Sequence, residues 1–228
     1  MIATAGTPTR SCSGSRARCP EVILLRHTQA GLDGRFCGHS DPELTEKGRA
    51  AFPAIISRLG AAPPSAIWCS DLIRAKETAA RIAEHFGVPL RPSFALREIN
   101  FGLWEGLTWK QVEAQFPQDA SAWAREFPHH RPPGGESFEE FQSRVTAELR
   151  RISSDAEHGY VLVVTHAGFI RVAMGWVLGV PDDRISRIAV DHGAAIVLQR
   201  IGEHWGFVAP GTSSFRLAAI TAAREDRR

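Results

Sequence analysis

Two short, uninterrupted apolar runs constrain the fold of this chain more than any other feature: Val22 to Leu25 and Tyr160 to Val164. Val, Ile and Leu without polar alternation suit a strand covered on both faces, as in a parallel sheet with helices on each side. Ala66 to Cys69 is a weaker run of the same kind. Each is followed by a segment of helical period, as βαβ construction requires. Within residues 71–86, Leu72, Ala75, Ala79, Ile82, Ala83 and Phe86 fall on one helical face, and Gly87 with Pro89 ends the helix. Ser137-x-x-Glu140 is a capping box that opens a second long helix with the stripe Phe138, Phe141, Val145, Leu149 and Ile152. Thr108-x-x-Gln111 marks a third, shorter start. Near the end, Ser186 to Val190, Ala194 to Gln199 and Trp205 to Ala209 read as strands joined by turns at His192-Gly193 and around Gly202. The expected fold is a three-layer α/β/α sandwich whose mostly parallel central sheet finishes with antiparallel strands.

The length of 228 residues suits one α/β domain with tails. Residues 1–20 have no acidic residue and no apolar h-region, which excludes a secretory signal. Their Ser and Arg weakly imitate an organelle-targeting segment, but a disordered tail or an over-called start is the plainer reading. The domain is expected over 21–210, with a solvated C-terminal tail over 211–228. No apolar run approaches the ~20 residues of a membrane helix, and the net charge is only +2, so neither membrane nor nucleic acid is an expected partner. Cys12, Cys19, Cys37 and Cys69 lack C-x-x-C spacing and are too sparse for a disulfide scaffold. Reduced thiols and a cytoplasmic location are expected.

In open α/β sheets, ligands bind beyond the carboxyl ends of the strands, where the following helices aim their N-termini. The first run leads into Arg26-His27-Thr28, the weaker run into Ser70 and then Arg74, and the last into Thr165-His166-Ala167-Gly168. Two histidines and two arginines therefore share one rim. Arg74 should lean back toward the sheet edge, because helical side chains tilt toward the N-terminus. Guanidinium forks suit phosphate oxygens, and Gly168 has no side chain to obstruct a ligand. Taken singly, a histidine is more often packed and such an arginine solvated. Their coincidence on one edge is what points to a phosphate site.

The blocks LLRHT, SDLIRAKET, LREINFGLWEG, PPGGES and VVTHAG, in that order between about Glu21 and Gln199, resemble the histidine phosphatase superfamily, also called phosphoglycerate mutase-like. The resemblance implies that His27 is a nucleophile forming a phosphohistidine, that Arg26, Arg74 and His166 bind the transferring phosphoryl group, and that Glu98 is the proton donor. A phosphoryl group in flight spreads charge over its oxygens, so alignment and fixed positive partners suffice and no metal or cofactor is expected. Neutral imidazole is a competent nucleophile near neutral pH. Without the resemblance, Glu98 reads equally well as a salt-bridge partner of Arg97. Arg35 in the loop after the nucleophile is a candidate substrate contact, as is Thr28, which stands where much of the superfamily has glycine. Glu136 on the PPGGES turn is a further candidate, and Arg35 and Glu136 read equally well as structural. The compact loop and the Gly38-His39-Ser40-Asp41 element look most like the α-ribazole phosphatase branch of cobalamin biosynthesis.

The function expected is hydrolysis of a small phosphorylated metabolite. Phosphoglycerate mutase activity is the alternative within the class, but residues 101–134 are short for the insertion that such mutases carry. A non-catalytic phospholigand-binding module is another, although His27 and Glu98 are both present. A metallohydrolase would need His pairs that the chain lacks, and His129-His130 in a Pro-rich stretch reads as a surface loop. Trp104, Trp109 and Trp123 read as core in preference to a substrate wall. An edge strand after the terminal hairpin is a candidate surface for a homodimer.

Overall fold

The computed structural model describes residues 21–156, 159–201 and 204–208. The expected tails, with Cys12, Cys19 and the end of the strand to Ala209, lie outside the described residues. Strands β1 (Glu21–Arg26), β2 (Ala66–Ser70), β3 (Leu90–Ser93), β4 (Tyr160–Thr165), β5 (Ala195–Ile201) and β6 (His204–Val208) form one sheet in the order β3-β2-β4-β1-β5-β6. The pairs from β3 through β1 are parallel, and β5 and β6 are antiparallel. The helices are α1 (Glu46–Ala50), α2 (Phe52–Leu59), α3 (Ile73–Phe86), α4 (Trp109–Gln115), α5 (Pro117–Glu126), α6 (Phe138–Ser153) and α7 (Ala167–Leu178).

The two central apolar runs divide their side chains between two cores. Val22 and Leu24 of β1 and Val161 and Val163 of β4 pack with α6 and α7, whereas Ile23, Leu25, Leu162 and Val164 pack with α2 and α3. Alternate residues of a strand face opposite sides, so a continuous apolar run is the cost of covering both. This is the expected α/β/α sandwich. Both capping boxes form, with Glu140 N–H donating to Ser137 Oγ and Ser137 N–H to Glu140 Oε2, and the same exchange at Thr108 and Gln111.

Some expectations fail for identifiable reasons. The strand β3 was not legible, because Leu90-Arg-Pro-Ser is half-exposed and contains Pro92; a sheet edge tolerates a residue without an N–H. Conversely, Ser186 to Val190 is not a strand. Residues Asp182–Arg187 form a 3-10 turn, and the carbonyls of Ile188 and Val190 accept side-chain bonds from Arg171 and Arg26, not sheet bonds. Of the three tryptophans, Trp104 is fully buried in a small core with Val112 and Ala120, Trp123 packs on it at 5.3 Å between ring centroids, and Trp109 is exposed.

Leu24 is completely buried in the α6/α7 core. Leu24→Ala is expected to lower unfolding stability by about 2–5 kcal/mol, measured by urea denaturation; a loss well below that range would show a core able to collapse onto the cavity.

Candidate active site

The parallel register of β1 and β4 pairs Arg26 with Thr165, so the chain leaves both strands side by side as His27 and His166. His27 N–H donates to the Thr165 carbonyl at 2.9 Å, and the two imidazoles lie 5.0 Å apart between centroids. His27 Nδ1 is 2.7 Å from the Thr28 carbonyl. A carbonyl can only accept, so Nδ1 carries the proton and Nε2 keeps its lone pair. Thr28 thus acts through its backbone. Its own side chain is buried against Thr78, at 3.3 Å between hydroxyls, and it does not line the cavity, contrary to the expected substrate contact.

Arg26 reaches the Val190 carbonyl through Nη1 at 2.7 Å and His192 Nε2 through Nη2 at 2.9 Å. Because guanidinium only donates, His192 Nε2 accepts, which requires a neutral ring. Arg26 Nε and both ring nitrogens of His166 are buried without a protein partner. Unsatisfied buried polar groups cost about 1–3 kcal/mol each, so this cluster is organised for a ligand that brings hydrogen-bond partners.

Arg74 is 1 % exposed and donates to the carbonyls of Ser40, Cys37 and Gly38 at 2.6, 3.3 and 2.8 Å. The loop that it grips is held from the other side by Glu105. That carboxylate accepts from the N–H groups of Gly38, His39, Ser40 and Phe101 and from the Ser40 hydroxyl. Asp41 then accepts the Ile73 N–H at 2.7 Å, capping the helix that carries Arg74. A side chain at Gly38 would stand 2.0 Å from the Ile99 carbonyl, so the loop can pass here only as glycine.

Glu98 is 9 % exposed and accepts N–H bonds from Ile99 at 3.0 Å and Gly168 at 2.8 Å. The alternative salt bridge with Arg97 is absent: Arg97 forks onto Asp71 with both bonds at 2.7 Å. The reason for glycine at 168 also differs from the expected one. An added Cβ would lie 2.1 Å from Glu98 Oε1, so the glycine makes room for the carboxylate and not directly for a ligand. Glu136 is structural. It pairs with Arg144 at 2.7 Å, and Arg144 donates to the Ala95, Arg97 and Glu98 carbonyls, shaping the segment that presents Glu98.

Arg26, His27, Arg74, Glu98 and His166 all open on one cavity of about 230 Å³. Arg35 also lines it, tethered to the Gly106 carbonyl at 2.9 Å. Sequence reasoning missed Arg171, His192, Glu105 and Arg144. Arg171 stands one helical turn beyond Ala167 on the same face, a spacing that would have exposed it. Glu105 sits inside the LREINFGLWEG block, whereas His192 and Arg144 arrive from distant segments without local signal. Burial, then the Arg74 guanidinium, holds His27 well below the usual imidazole range. Burial, then His27 and Arg74, does the same to His166. Among the described residues, no group of three His, Cys, Asp or Glu side chains is arranged to hold a metal ion.

Residues 22–212 match the model of the histidine phosphatase superfamily, branch 1. The chain belongs to that superfamily. It is 30% identical to the adenosylcobalamin/alpha-ribazole phosphatase of Escherichia coli K12 over 75% of this chain and 85% of the relative. A glucosyl-3-phosphoglycerate phosphatase of Mycobacterium tuberculosis is 35% identical over 72% and 78%. The solved complex of a mycobacterial glucosyl-3-phosphoglycerate phosphatase with inorganic phosphate superposes with a TM-score of 0.71 at 28% identity, covering 86% of this chain and 99% of that one. In this histidine phosphatase the strand-end residues converge as the motif blocks implied.

Two outcomes are expected from this geometry. Gly168→Ala should displace the Glu98 carboxylate and lower kcat on p-nitrophenyl phosphate by roughly 10- to 100-fold with the fold retained; full activity would show that the carboxylate position is unimportant. The second outcome concerns pH. Above about pH 6.5 neither folded nor unfolded imidazole binds a proton, whereas below it the unfolded chain takes protons that buried His27 and His166 refuse. Stability should therefore fall on acidification below about pH 6.5, by up to ~1.4 kcal/mol per pH unit for each histidine. Urea melts near neutrality and near pH ~5 measure this, and an unchanged slope in a His27→Asn, His166→Asn double variant would contradict it.

Proposed function

We propose that the protein is a metal-independent phosphomonoesterase that acts on a small phosphorylated metabolite through a phosphohistidine on His27. The observation that carries this reading is that His27, whose Nε2 keeps its lone pair, lines one cavity with Arg26 and His166, whose buried Nε and ring nitrogens have no protein partner. A phosphoryl group brings three acceptor oxygens to such donors, and its charge explains why cations are gathered here at a desolvation cost.

In the first step the Nε2 lone pair of His27 attacks phosphorus, the bond to the ester oxygen breaks, and the leaving oxygen takes a proton from Glu98. In the second, water attacks the phosphohistidine, gives a proton back to Glu98 and releases inorganic phosphate, restoring His27. Depressed basicity keeps His27 unprotonated and available through neutral and mildly acidic pH. Arg26, Arg74 and His166 hold the equatorial oxygens, and Arg35 lies where the rest of the substrate enters. Phosphate-ester hydrolysis fits residues 101–134 better than phosphoryl return to product, since α4 and α5 are spent on a small core around Trp104. The two curated relatives make α-ribazole 5'-phosphate and a phosphoglycerate ester the substrates to compare.

Hydrolysis of p-nitrophenyl phosphate in excess EDTA is expected to proceed, and His27→Ala to lose at least roughly a thousandfold in kcat. Rapid quenching into alkali with a phosphorus-labelled ester should trap label on wild type and none on the variant. Full activity in His27→Ala, or activity abolished by EDTA and restored by a metal, would overturn the proposal.

A further inference from the structure

One turn holds both terminal nitrogens of Arg26. Nη1 donates to the Val190 carbonyl at 2.7 Å and Nη2 to His192 Nε2 at 2.9 Å, so the buried Nε is the donor left without a partner. The turn is pinned to the end of β1. Gly193 N–H donates to the Arg26 and His27 carbonyls at 3.2 and 3.3 Å, Arg26 N–H donates to the Ala194 carbonyl at 2.9 Å, and Arg58 of α2 holds the Gly193 carbonyl. The backbone at His192 is thus fixed relative to the nucleophile, and its ring is the part able to respond to a proton.

The contact with Arg26 carries a protonation condition. Guanidinium has no lone pair, so the bond exists only while His192 Nε2 is bare. The same nitrogen stands 3.9 Å from Asp33 Oδ1, which is an acceptor. A proton on Nε2 sets two cations and two donors against each other at Arg26 and creates an attraction to Asp33, on the loop that lines the cavity with Arg35. Asp33 is itself placed by Gln29, whose Nε2 donates to Oδ2 at 2.6 Å. The other charged and titratable groups around the ring are His27, 5.5 Å away between centroids, Asp191 on the same turn and Lys47 of α1. Burial, then Arg26, lowers the proton affinity of the ring, and Asp33 and Asp191 oppose them. The side chain is 28% exposed and lines the cavity, so solvent protons reach it.

We propose that His192 is a positioning residue for the phosphoryl chemistry: neutral, it fixes Arg26 for the phosphoryl oxygens, and protonated, it releases Arg26 and pairs with Asp33. The inference rests on the phosphomonoesterase reading of the same cavity. Activity then has an acid limb set by a residue that acts through Arg26.

The test is the ratio of kcat/KM on p-nitrophenyl phosphate between His192→Gln and wild type, followed from about pH 8 down to about pH 5, the span in which imidazole titrates. Glutamine places Oε1 at the reach of Nε2 and accepts from Arg26 at every pH, and ionisation of the ester is common to both enzymes and cancels. The ratio is expected to rise on acidification, toward roughly tenfold per pH unit once His192 titrates in wild type. Removing the charge beside His27 works in the opposite sense, because His192 lowers the proton affinity of His27. His192→Leu, which offers no acceptor, should lose roughly 10- to 100-fold in kcat already at the alkaline end. A ratio independent of pH would make His192 merely structural, and a ratio that falls would make its imidazolium a ligand of the phosphate. Either result overturns the proposal, as does a His192→Leu enzyme with wild-type kcat at the alkaline end. Calorimetric binding of inorganic phosphate to wild type and His192→Gln over the same range separates this from the hydrolytic reading. A relative affinity that moves in favour of the variant on acidification, with no turnover by either protein, supports the role of His192 while sinking the phosphatase; turnover with a flat ratio does the reverse.

Discussion

The parallel pairing of β1 with β4 is the interaction on which the site depends. It sets Arg26 level with Thr165, so the first residue beyond each strand is a histidine and the two rings meet over the sheet edge. That register is held by side chains buried on both faces, and a one-residue slip would move each apolar set to the opposite core and separate the rings. The chemistry at the rim therefore borrows its precision from hydrophobic packing, which is non-directional by itself but becomes positional once two helical layers interlock with the pleat.

Around that pair the protein uses carbonyls to aim its cations. Arg74 is aimed by the loop carbonyls of Cys37, Gly38 and Ser40, Arg26 by Val190 and Arg171 by Ile188. A carbonyl orients a guanidinium without neutralising it, so the charge stays available to a ligand. Carboxylates are kept to other duties. Glu105 knots the loop, Asp41 caps α3, and Glu136 occupies Arg144 behind Glu98. Asp41 comes within ion-pair reach of Arg74 Nη1, at 4.0 Å, while the buried Arg26 Nε and His166 ring nitrogens have no protein partner.

The site was legible where it sits at strand ends, because apolar runs, helical periods and the following polar residue are all local. His27, Arg74, Glu98 and His166 were found on that basis together with the motif blocks, and they do share one cavity. Thr28 shows the limit of such reasoning: its neighbours in sequence are at the site, but its hydroxyl turns to Thr78 on α3. Gly168 was noticed for the right absence of a side chain and the wrong beneficiary. The segment before Asp191 carries a strand-like pattern, yet its carbonyls are taken by arginine side chains and it stays out of the sheet.

Sequence alone determined the layered α/β/α architecture, the edge on which chemistry gathers and the superfamily, since periodicity and motif order are properties of neighbouring residues. Only the tertiary structure decided which nitrogen of His27 is free, which buried groups lack partners and that Arg26 and Arg171 are anchored on the carbonyls of Val190 and Ile188. Those are relations between residues up to well over a hundred positions apart, set by where carbonyls point after packing, and no local pattern carries them.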